Sequence, residues 1–183
     1  MKKKTLLSCA AVLTALVLLS SCATSLTSST AGIPGVKSID MARYLGRWYE
    51  ISRIPVPIGR SWVNTSDSYS LRPDGSITVV YEGFVKSAKG ARKTLTGRQW
   101  IPDPAVMGDM KVSFLPLLVN DNRLIAIDEN YSWLVVTSRT KDYLWIMSRT
   151  PVMDPQVHAS VVSMAAGLGF DTSRLEAVRQ EWD

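Results

Sequence analysis

The run Arg43-Tyr44-Leu45-Gly46-Arg47-Trp48-Tyr49-Glu50-Ile51 decides how the rest of this 183-residue chain is read. Its lead-in is turn-like, and Gly46 permits a close backbone bend into an extended run. Trp48 follows as a large apolar plug. On a two-residue period Trp48, Glu50 and Ser52 share one face, while Tyr49, Ile51 and Arg53 share the other. A Gly-x-Trp triplet alone is common. Here it precedes a series of short strand-like runs and a second fingerprint near the end.

Working outward, those runs fall at about 46–54, 64–71, 76–85, 92–101, 110–115, 123–128, 131–137 and 143–148. Pro73-Asp74-Gly75 makes a tight turn, and Pro102-Asp103-Pro104 stops the fourth run. Short strands at regular spacing predict a sandwich or barrel. Asp154-Pro155 then opens a helix, with Asp as N-cap and Pro at the first helical position. Val157, Val161, Met164, Ala165 and Leu168 recur at helical spacing, so one face is apolar and needs a sheet to cover. Gly167 and Gly169 end the helix, and a short last strand fits around 175–179.

Composition narrows the functions available. Apolar residues make up 46% and charged residues 20%, as in a folded domain with a core. Three of the 21 basic residues are Lys2, Lys3 and Lys4; from residue 22 onward 18 basic residues face 16 acidic ones, too even a balance for a nucleic-acid partner. Cys9 and Cys22 are the only cysteines and His158 the only histidine. The body therefore offers no disulfide, no thiolate or multi-histidine metal site and no cysteine nucleophile, and the reading calls for no cofactor. His158, four residues after the helix cap, is expected to be solvated or to serve the cap rather than catalyse.

The first 21 residues read as a lipoprotein signal peptide. A cationic start precedes an apolar stretch at 6–19, short for a membrane span, and then Leu19-Ser20-Ser21-Cys22. That pattern resembles the bacterial lipobox, which implies lipidation of Cys22. Ala23, not aspartate, follows the cysteine, which by the same resemblance implies the outer membrane, at its periplasmic face. Residues 22–38 are expected to form the lipidated start and a Ser-, Thr-, Gly- and Pro-rich flexible tether, with the folded domain at 39–183.

Gly46-Arg47-Trp48-Tyr49-Glu50, the eight runs, and Tyr143-Leu144-Trp145-Ile146-Met147-Ser148-Arg149-Thr150-Pro151 before a single helix together resemble a lipocalin, from about Ile39 to Trp182. A middle motif is present in looser form as Ala126-Ile127-Asp128-Glu129-Asn130-Tyr131. The likeness is to bacterial outer-membrane lipocalins, which are also similar to apolipoprotein D. It implies an all-β, eight-stranded antiparallel up-and-down barrel with one C-terminal α-helix packed outside. One end would be closed, with a floor motif of Gly46, Trp48 and Arg149, the arginine lying across the Trp48 ring. An eight-stranded barrel can hold one small ligand.

The candidate ligand-binding residues are Glu50, Ser52, Val56, Ile58, Trp62, Tyr69 and Leu117. Val56 and Ile58 with Trp62, and the run Leu115-Pro116-Leu117-Leu118-Val119, form two apolar connections suited to a ligand rim, a partner or a membrane surface. Glu50 is expected to make a structural hydrogen bond near the floor, with an acid–base role as the alternative. In the up-and-down barrel so implied, the connections alternate between the two ends, which puts Arg60, Lys86, Lys89, Arg92, Lys93, Arg123, Arg139 and Lys141 near the open rim, against Asp121 and Asp142, and mostly acidic residues near the floor. The expected protein is a non-enzymatic, lipid-anchored carrier of a fatty acid, lysophospholipid or similar lipid, transporting or storing it in membrane maintenance under stress. Its partners would be that ligand and the membrane, with a homodimer as a further expected assembly. A lipid- or isoprenoid-modifying enzyme using Glu50 is the alternative.

Overall fold

The computed structural model describes residues 29–182; the signal peptide and Cys22 lie outside them. A four-residue helix α1 (Met41–Tyr44) leads into β1 (Gly46–Arg53), followed by β2 (Trp62–Leu71), β3 (Ile77–Val85), β4 (Arg92–Trp100), β5 (Asp109–Leu115), β6 (Leu118–Ile127), β7 (Trp133–Ser138) and β8 (Leu144–Ser148). Each strand pairs antiparallel with the next, and β1 pairs with both β8 and β2, so the sheet closes into a barrel. Helix α2 (Pro155–Gly167) and a two-residue strand β9 (Glu176–Ala177) complete the chain order.

Two cores follow from strand alternation. Leu134, Val136 and Met147 point into the barrel with Trp48, Tyr69 and Val79. Val135, Leu144 and Ile146 point outward, where Ile33, Ile54 and the Val161 and Ala165 face of α2 cover them. β7 and β8 are therefore apolar on both faces because the helix removes the outer face from water. The helix begins as its sequence requires: the Asp154 carboxylate accepts from the Gln156 and Val157 amides at 2.8 and 3.1 Å, with Pro155 next. It ends in a left-handed Gly169, φ +82°, with the Phe170 amide donating back to the Ala165 carbonyl.

Three departures from simple alternation shape the site. In β1, Glu50 pairs with Met147 but Ser52 pairs with Ile146, so Ile51 is an extra residue and the phase flips. Ser52 then faces outward, its hydroxyl 2.8 Å from His158 Nε2 on α2, and Arg53 faces inward, 3% exposed. This corrects the expected faces of both residues. His158 is a docking contact between helix and barrel, not a solvated residue. Opposite, β2 shifts register between Val63 and Ser66, and Asn64 takes φ +52°.

The second departure lies between these bulges. β1 and β2 pair directly only from Gly46↔Tyr69 to Tyr49↔Ser66. Nearer the mouth a C-terminal segment bridges them. β9 pairs with Ser52 and Arg53, and Val178 donates to the Ile51 carbonyl. Asn64 donates to the Arg179 carbonyl, and Gln180 Nε2 donates to the carbonyls of Glu50 and Thr65.

The third concerns β6, which starts at Leu118 rather than near 123, so its connection to β5 is a tight hairpin with Leu117 at φ +67°. Arg123 consequently lies in the middle of β6, opposite Asp109, where its guanidinium binds that carboxylate. It is not a rim cation. Arg92, also counted at the rim, is tied to Glu82.

Residues 29–38, read as tether, lie against the barrel. Val36 exchanges backbone hydrogen bonds with Leu124 and Gly108, Ile33 is buried, and Arg123 Nη1 donates to the Thr30 and Ile33 carbonyls at 2.7 Å each. Burial of two aliphatic side chains and these paired carbonyls outweigh the freedom that a Ser/Thr/Gly-rich segment would otherwise keep.

Candidate functional site: a lipid-sized cavity above a tryptophan floor

The closed end is built from the opening motif. Gly46 sits at φ +94°, which only glycine adopts without strain, and a side chain there would press toward the Arg149 guanidinium. Trp48 is fully buried, and its indole Nε1 donates to the Tyr44 carbonyl at 2.8 Å. The Arg149 guanidinium lies 3.7 Å from the Trp48 ring centre. Its N–H groups donate to the carbonyls of Arg47 (2.9 Å), Tyr44 (3.1 Å) and Arg43, which ties β8, β1 and α1 together. Tyr44 and Tyr69 stack beside the indole with ring centres 5.0 Å apart.

Above this floor is a cavity of about 610 Å³, within the usual range for small-molecule sites. Val79, Val112, Phe114, Val136 and Met147 give it apolar walls, and Val56, Pro57 and Ile58 stand at its mouth. Of the residues expected to bind ligand, Glu50, Val56, Ile58 and Tyr69 line it. Three do not. Ser52 faces the helix as described; Trp62 stacks on the outer side of Tyr81, ring centres 5.3 Å apart, at a small polar cleft beside Arg60 and Glu176; and Leu117 projects into solvent from the hairpin tip.

Glu50 is held through one carboxylate oxygen, Oε2. It binds the Arg53 guanidinium and accepts from Thr65 Oγ1 at 2.5 Å. Arg53 also donates to the Tyr81 hydroxyl (3.0 Å) and the Gly59 carbonyl (2.5 Å). Gly59 is required there: φ is +79°, and a Cβ would come 2.3 Å from the Tyr81 hydroxyl. The network satisfies a buried ion pair and pins the β1–β2 connection over the wall.

Asp67, absent from the sequence-based candidates, lines the cavity one pleat from Tyr69. Its two-residue spacing from Tyr69 was the available signal. Its only hydrogen bond among the described residues is a long one, 3.3 Å from the Tyr69 hydroxyl. Enclosure within the barrel, reinforced by the nearby Glu50 carboxylate, pushes the Asp67 carboxyl up to about 8, against the weaker pull of the Tyr69 hydrogen bond and the Arg53 charge. Burial likewise pushes Tyr69 well above its ordinary range and Tyr44 to about 12. At neutral pH the deep end of the cavity thus presents a protonated acid, Asp67, and a neutral phenol, Tyr69, with neutral Tyr44 stacked on the latter.

The sign of the resulting pH dependence follows from linkage. An unfolded Asp titrates near 4, so between about 4 and 8 the folded protein holds the extra proton, and stability falls as pH rises through that window. Asp67→Asn is therefore expected to raise Tm by about 4 °C at pH 9 and by much less at pH 5. A gain of equal size at both pH values in thermal melts would contradict this assignment.

A closed antiparallel barrel with one sealed end, one open mouth and an apolar interior defines a container for a small apolar molecule. Residues 39–180 match the Lipocalin-like domain family, and the chain belongs to that family. It is 33% identical over 149 residues to the outer membrane lipoprotein Blc of Escherichia coli K12, covering 81% of this chain and 84% of that protein. It is 32% identical to temperature-induced lipocalin-1 of Arabidopsis thaliana over 79% of this chain and 81% of that one. Mouse apolipoprotein D is 26% identical over 80% of each chain. Among solved structures, lobster apocrustacyanin A1 superposes with a TM-score of 0.64 at 14% identity, covering 82% of this chain and 91% of that chain.

Proposed function

We propose that this protein is a lipid-anchored carrier at the bacterial outer membrane that takes up single-chain lipids, such as a fatty acid or lysophospholipid, and stores or transports them in membrane maintenance under stress. The observation that carries the reading is the 610 Å³ apolar cavity closed at one end by Trp48. Fifteen methylenes buried there would contribute about 12 kcal/mol, which leaves about 8 kcal/mol, micromolar binding, after an association cost of about 4 kcal/mol. Arg53 is already paired with Glu50 and Asp67 is protonated at neutral pH, so the bottom of the cavity offers an anionic headgroup no available positive charge. A chain therefore enters tail first and leaves its headgroup at the mouth, among Arg139, Asn120 and Asn122. The pairing of Glu50 Oε2 with both Arg53 and Thr65 supports binding over an acid–base role. Location and anchoring rest on the Leu19-Ser20-Ser21-Cys22 pattern and on the naming of the Escherichia coli relative as an outer membrane lipoprotein.

Native mass spectrometry of protein purified from membranes, followed by lipid identification, tests the reading. One bound single-chain lipid per barrel is expected, and competition by a fluorescent fatty acid should displace it. A barrel that arrives without lipid and takes up neither fatty acid nor lysophospholipid at micromolar concentration would overturn it.

A further inference from the structure

We infer that the open mouth of the barrel faces the lipid bilayer and that the β5–β6 hairpin tip is inserted into the headgroup region. This rests on the lipid-anchored carrier reading above.

The first observation is the position of Ser29. Ser29 bridges to Thr140, the Thr30 amide donates to the Arg139 carbonyl at 3.0 Å, and Thr30 Oγ1 donates to the Ser138 carbonyl at 2.7 Å. Residues 139–143 connect β7 to β8 at the mouth, so Ser29 lies at that end of the barrel. Only residues 23–28 separate Cys22 from Ser29, a reach of about 25 Å at full extension. A ten-residue strand such as β2 is about 33 Å long, and about 25 Å along the axis of a tilted barrel. The floor turns add to that height. An acyl anchor on Cys22 therefore cannot bring the floor onto the membrane, while the mouth reaches it easily.

The second observation is independent of the anchor. Leu117 at the hairpin tip is wholly exposed, and Leu115, Leu118 and Val119 around it are 58, 54 and 48% exposed. Ile58, in the β1–β2 connection at the same end, is 58% exposed. These are the largest exposed aliphatic side chains on the barrel strands and their connections apart from Leu71, and they gather at the mouth rather than scatter. Exposed Lys86, Lys89 and Lys93 in and beside the β3–β4 connection flank them. Aliphatic side chains ringed by lysines suit a surface of anionic headgroups over acyl chains. In this pose a lipid moves between bilayer and cavity along an apolar edge without crossing open water.

The test uses the full-length, lipidated chain in vesicles of phosphatidylethanolamine and phosphatidylglycerol. Single cysteines are introduced as Leu117→Cys, Ile58→Cys, Asp74→Cys and Glu129→Cys, the last two at floor turns, and labelled with an environment-sensitive dye. Brominated acyl chains should quench the dye several-fold more at 117 and 58 than at 74 and 129. Equal quenching at all four sites, or stronger quenching at 74 and 129, overturns the inference. Binding of a fluorescent fatty acid, measured separately in detergent, keeps the two readings apart. Binding with an unquenched dye at 117 removes the orientation and leaves the carrier; quenching at 117 without binding removes the carrier and leaves the orientation. Leu117→Asp should slow uptake of the fatty acid from vesicles about tenfold and leave its affinity in detergent unchanged. Uptake from vesicles at the unaltered rate would count against insertion of the tip.

Discussion

Trp48→Ala is expected to destabilise the protein by about 3–5 kcal/mol, the cost of emptying a large aromatic site in a packed core. Trp48 is fully buried: Arg149 lies across its ring, and its N–H has the Tyr44 carbonyl as partner. Truncation leaves the Tyr44 carbonyl short of a donor and Arg149 without its ring. In a domain of this size the loss lowers Tm by roughly 10 °C or more. Arg149→Met should cost less, about 1–2 kcal/mol, because the indole remains in place. Equilibrium unfolding in urea gives both values. If Trp48→Ala lies within 1 kcal/mol of the parent, a threshold well under the usual large-to-small core penalty of about 3 kcal/mol, the floor does not depend on this residue as described.

The second large effect belongs to the Glu50–Arg53 pair. Both side chains are almost wholly buried, 2 and 4% exposed. Arg53→Met leaves the Glu50 carboxylate inside the barrel with Thr65 alone, and Glu50→Leu leaves a buried guanidinium. Each should cost about 3–5 kcal/mol. The double variant Glu50→Leu/Arg53→Met removes both charges and fills similar volume, so it should return to within about 1–2 kcal/mol of the parent. A double variant as unstable as the sum of the singles would mean that the pair contributes through shape and not through charge compensation. Fatty-acid binding that survives in the double variant would further separate Glu50 from any chemical step.

Much of the architecture could be read from residues whose local signals agree with the fold. Gly46 and Trp48, the Pro73-Asp74-Gly75 turn and the Asp154-Pro155 cap are such places, because each states a backbone requirement over a few positions. The site was less legible for identifiable reasons. Arg53 looked outward because alternation was carried through Ile51, and a bulge there is set by pairing with β8, a strand about a hundred positions away. Asn120-Asp121-Asn122 read as a polar loop. In the barrel they belong to β6, where cross-strand pairing and the Lys111–Asp121 ion pair override weak strand propensity. Asp67 was overlooked although it shares the face of Tyr69, since an acidic residue in a strand ordinarily signals solvent. The last strand expected around 175–179 is only Glu176–Ala177; residues 178–180 are held because two distant bulges leave carbonyls and amides unpaired between them, and Gln180 takes part through its side chain.

That bridging segment sets an order of events for a chain delivered from its N-terminus. The edges of β1 and β2 that flank the mouth come together through residues 176–181, more than 100 positions after Asn64. All eight barrel strands precede those residues. Until that segment pairs, the wall between β1 and β2 is joined only in its lower half, from Gly46 to Tyr49, and gapes above, however well the other strands have zipped. After that, the mouth is the way in.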